Sequence, residues 1–134
     1  MIPTAAIRTA IFDALNGNVG ASVVSVPSRD LGDHVLIDSI RVFEDTAQTD
    51  FIYDVLVSIE VFTQFNKTGN KSAATTIAAA IDNIIRPQVV GTISVSGWNN
   101  LGAWLDNSNE FVDTINEKKV VRHILMYRMK FNKI

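Results

Sequence analysis

A chain of 134 residues, 47% apolar and 19% charged, has the make-up of one ordinary globular domain, residues 1–134, and not of a disordered segment. It has no cysteine, which excludes disulfides, thiolate metal centres and a cysteine nucleophile. The formal net charge of -2 hides a segregation: residues 1–117 carry six bases and fourteen acids, residues 118–134 six bases and no acid.

In chain order, Pro3 and Thr4 open a first helix, with threonine able to cap it. Ile7, Ile11, Ala14 and Leu15 form its apolar face, and Asn16-Gly17 stops it. A helix this short is marginal in water by itself, so it should cover a sheet. Ala21 to Val26, valine-rich and followed by Pro27, reads as a strand, and Ser28 to Asp33 as a loop. His34 to Phe43 reads as a second strand with apolar residues on both faces, and Glu44 to Asp50 as an exposed acidic connection.

The clearest periodic signal runs from Phe51 to Phe65. Tyr53, Val55, Val57, Ile59 and Val61 alternate with Asp54, Ser58, Glu60 and Gln64, the period of two of a strand with one buried face. Asn66 to Lys71 holds no apolar residue and reads as a turn. Ser72 is a candidate N-cap for a second helix whose stripe is Ile77, Ile81, Ile84 and Ile85, closed by Pro87. Gly91 to Trp98 is expected to be a fourth strand that ends at Trp98-Asn99-Asn100, and Leu101 to Lys119 an irregular excursion. Val120 to Phe131 resumes alternation, with Val121, His123, Leu125, Tyr127, Met129 and Phe131 on one face and Arg122, Arg128 and Lys130 on the other. The expected fold is α+β: a mainly antiparallel sheet of about five strands with two helices packed on one face.

Residue chemistry gives no positive sign of catalysis. The two imidazoles, His34 and His123, are far apart in sequence, and adjacent Asp33 and His34 point to opposite faces of a strand. Asp54 and Glu60 share a face but lie six residues apart, about 20 Å at strand rise, too far for an acid/base pair. No phosphate-binding glycine loop, zinc motif or nucleophile elbow occurs, and no cofactor is expected. A binding or enzymatic alternative would place a pocket between helices and sheet, lined by Tyr53, Trp98, Trp104 and His123. Charge points elsewhere. The basic last strand either pairs with acids of its own sheet or meets an acidic surface on another copy. Pairing of small domains through sheet edges is a third option.

The arrangement from helix Ala5–Leu15 through strand Tyr53–Gln64, turn Asn66–Lys71, helix Ser72–Ile85 and basic strand Val120–Phe131 resembles the tail terminator (tail completion, head-tail joining) proteins of long-tailed bacteriophages. The resemblance covers most of the chain; Leu101 to Lys119 fits it least, which leaves another neck protein as an alternative. It implies a virion protein of the tail-neck region, made in the host cytoplasm, without a catalytic set or membrane segment. Such proteins form a hexameric ring on the tail tube and bind the head connector, with genome DNA passing through the lumen without specific binding. The expected partners are therefore other copies of the chain, the tail tube protein and a head-completion or connector protein. The expected interface comprises loop residues Asn66, Lys67, Thr68, Gly69 and Asn70, together with Arg122, Arg128 and Lys130 facing a neighbour's acids such as Asp54 or Glu60.

Overall fold

A computed structural model describes residues 2–26, 33–45, 52–64, 72–86, 93–115 and 118–133. The elements are α1 (Thr4–Leu15), β1 (Ser22–Val24), β2 (His34–Asp45), β3 (Ile52–Gln64), α2 (Ser72–Ile85), β4 (Trp98–Ile115) and β5 (Lys118–Lys133). The strands form one sheet in the order β1-β2-β3-β5-β4; β1 lies parallel to β2 and every other neighbouring pair is antiparallel. The fold is α+β with both helices on one face, as the periodicities require.

β3 is central because its alternation gives it a face to bury. Val55, Val57, Ile59, Val61 and Thr63 are buried, and register sets them beside Met129, Tyr127, Leu125, His123 and Val121 of β5. On this face α1 lays Ile7, Ile11 and Leu15, and α2 lays Ile77, Ala78, Ile81 and Ile85, into one cluster. Each buried isoleucine or leucine contributes about 1.5–3 kcal/mol relative to exposure, which holds two short helices that would fray in water. α2 therefore covers the strand that precedes it, and also β5.

The ends of α1 depart slightly from expectation. Thr4 is the first helical residue and not a cap; Pro3 occupies the cap position, offers no side-chain hydrogen bond, and accepts from the Ile7 amide at 2.9 Å. At the other end the Asn16 amide donates to Phe12 O, the Asn18 side chain donates to Ala14 O, and Gly17 takes φ 79°, the left-handed geometry that ends the helix.

Three β-bulges explain why some strands were hard to phase. β2 and β3 shift register between Ile37 and Ser39, so Asp38 is extra and the inward positions change from Val35 and Ile37 to Ile40 and Val42. That accounts for apolar residues on both apparent faces of β2. β1 is shorter than the segment read as a strand, and Glu44 and Asp45 belong to β2 and not to a connection.

The largest correction concerns residues 93–115. Residues 93–97 do not form the expected strand: Val95 makes one isolated bridge to Trp98 across a turn at Ser96 and Gly97, and the start of that expected strand, Gly91 and Thr92, lies outside the described residues. Trp98 begins β4 and does not end a strand, and the supposed irregular excursion is an 18-residue strand paired with β5 along its length. Register shifts between Asn100 and Gly102 and between Leu105 and Asn107 reset the parity of β4 twice. Strict period-two reading fails across such breaks. β4 is also an edge strand with exposed residues on both faces, so burial does not impose alternation on it.

Candidate interaction surface

The sheet has a second face, opposite the helices, on which no described helix packs. Its composition follows from register. One row across the sheet is Arg41, Leu56, Arg128 and Trp104; the next, towards the start of β3, is Phe43, Asp54, Lys130 and Gly102; a third, towards its other end, is His34, Phe62, Arg122 and Phe111.

Among the described basic residues Arg122 is the most tightly held. Its guanidinium bonds Glu60 of β3 and reaches Asp113 of β4 at 2.8 Å, and it lies 5.6 Å from the Phe62 ring centre. His34 stacks on the same ring at 4.7 Å between centroids. Hydrogen bonding to Asp113, opposed by burial and reinforced by Glu60, raises the Arg122 pKa further above its usual range. Glu60 is only 6% exposed, so this ion pair is a structural feature of the sheet. Lys130 sits 3.7 Å from Asp54 Oδ1, a charge neighbour too distant for a hydrogen bond. Thus Arg122 and Lys130 meet Glu60 and Asp54 within one chain.

Arg128 and Arg41 differ. Both are exposed, on either side of Leu56, and among the described residues no carboxylate pairs with either. Arg41 lies 5.8 Å from the centre of the Phe43 ring, which is 48% exposed. Trp104, 49% exposed, folds its indole back over Gly102: a Cβ on that glycine would come within 2.8 Å of the ring. Sequence reasoning singled out Arg128 but missed Arg41 and Phe43, and assigned Trp104 to a pocket. The turn residues Asn66, Lys67, Thr68, Gly69 and Asn70 lie outside the described residues.

The pocket alternative does not assemble. Trp98 is buried edge-on against Tyr53 at 5.4 Å, while Trp104 is on the opposite face of the sheet. His123 contacts Ser108 at 2.7 Å through Nε2, but its Nδ1 is enclosed without a hydrogen-bond partner, so no third group orients the imidazole as a base. Among the described residues no cluster of three or more histidines and carboxylates is placed to hold a metal ion. No described helix is long and apolar enough to cross a membrane.

No protein-family model matches the chain, and no curated protein does. A solved virion chain shares this fold. It is part of the virion of a native gene transfer agent (GTA) particle, superimposes with a TM-score of 0.72 and is 18% identical; the match covers 96% of each chain. At that identity the likeness is one of fold.

Proposed function

We propose that this chain is a structural protein of a phage-like virion and, within it, the tail terminator: a ring that caps the tail tube and presents the surface to which the head connector binds. The observation that carries the reading is the correspondence of fold with a virion chain, over 96% of both chains at a TM-score of 0.72. The helix-free face, with its exposed arginines and aromatic rings, is the kind of surface that protein contacts favour. In this role the partners are further copies of the chain, expected as a closed ring of six, the tail tube protein, and a head-completion or connector protein. Genome DNA traverses the lumen without specific contacts.

The test is a capping assay. Tail tube subunits are allowed to polymerise with and without this protein, and tube length and the position of labelled protein are recorded by electron microscopy. Arrested growth with label at one end of each tube supports the role. Unchanged length with label absent or scattered along the wall refutes it.

A further inference from the structure

We draw no further inference here: the strongest candidate, the helix-free face of the sheet around Arg41, Phe43, Arg128 and Trp104, carries Asp54, Glu60 and Asp113 among its bases, and nothing in the structure shows what covers it.

Discussion

Tyr127 donates its phenolic hydroxyl to Asp82 Oδ1 at 2.9 Å, and the same carboxylate accepts a two-pronged bond from Arg86 at 2.8 and 3.0 Å. Tyr127 is on β5 and fully buried; Asp82 is on the flank of α2. The apolar stripe of α2 supplies affinity for the sheet but little register, and this bond fixes which turn of the helix sits over which strand. Asp82→Ala leaves a buried hydroxyl without an acceptor, which costs about 1–3 kcal/mol, whereas Tyr127→Phe removes the donor and costs about 1 kcal/mol. Urea unfolding should therefore show the alanine variant as the weaker, and Tyr127→Phe should cost less in the Asp82→Ala background than alone. Strictly additive losses would mean that the bond contributes nothing.

The same cluster sets two pH limits. Burial, reinforced by the Asp82 charge, raises the Tyr127 pKa, so the protonated phenol contributes stability that is present below its unfolded pKa of about 10 and lost as pH rises beyond it. In a Tyr53→Phe variant, where Tyr127 is the remaining tyrosine, phenolate absorbance should appear only together with loss of far-ultraviolet circular dichroism. Hydrogen bonds from Arg86, partly opposed by burial, lower the Asp82 pKa; its contribution is present above about pH 4 and lost as pH falls through the folded value. Asp82→Asn should flatten the acid limb of the stability profile and leave the alkaline limb in place.

The elements that the sequence displays openly are those whose burial is one-sided. The odd positions of β3, the odd positions of β5 and the isoleucine stripe of α2 all face the core as their spacing requires. What escaped was set by breaks in periodicity or by partners distant in sequence. β4 carries two register shifts and polar, exposed positions on both faces, so neither alternation nor hydropathy marks it. Asp38 changes the phase of β2 without any local signature. On the candidate surface, Arg128 was legible because its strand is regular, while Arg41 was not, since only the pairing of β2 with β3 and β5 with β3 sets it across Leu56 from Arg128. The Asp82–Tyr127 bond joins residues 45 apart and has no sequence signature.

Arg122 offers a sharper stability test than any other charged residue. Its removal strands Glu60, which is 6% exposed, and also frees Asp113. Breaking a fully buried pair costs about 3–5 kcal/mol; with Arg122 still partly in contact with water, Arg122→Ala should cost about 2–3 kcal/mol. Replacing Arg122 and Glu60 together by Met and Leu should recover much of the loss, because no buried charge then remains. Chemical unfolding of the single and double variants decides it: if the double variant is weaker than Arg122→Ala, the cost lies in packing over Phe62 and not in the stranded carboxylate.

Lys130 lies at the other extreme, and the contrast gives a way to separate folding from assembly. Its amine is 3.7 Å from Asp54, both side chains are more than a third exposed, and exposed pairs of this kind contribute about 0–1 kcal/mol. Lys130→Met should therefore leave the unfolding midpoint within about 0.5 kcal/mol of wild type, unlike Arg122→Ala. A pair this loose can be given up to a neighbouring subunit at little cost, which keeps Lys130 and Asp54 available as interface residues. Should Lys130→Met weaken self-association while stability holds, Lys130 is part of a contact between copies. Unchanged association would place any such contact elsewhere, and a large loss of stability would show that the pair is held more rigidly than its geometry implies.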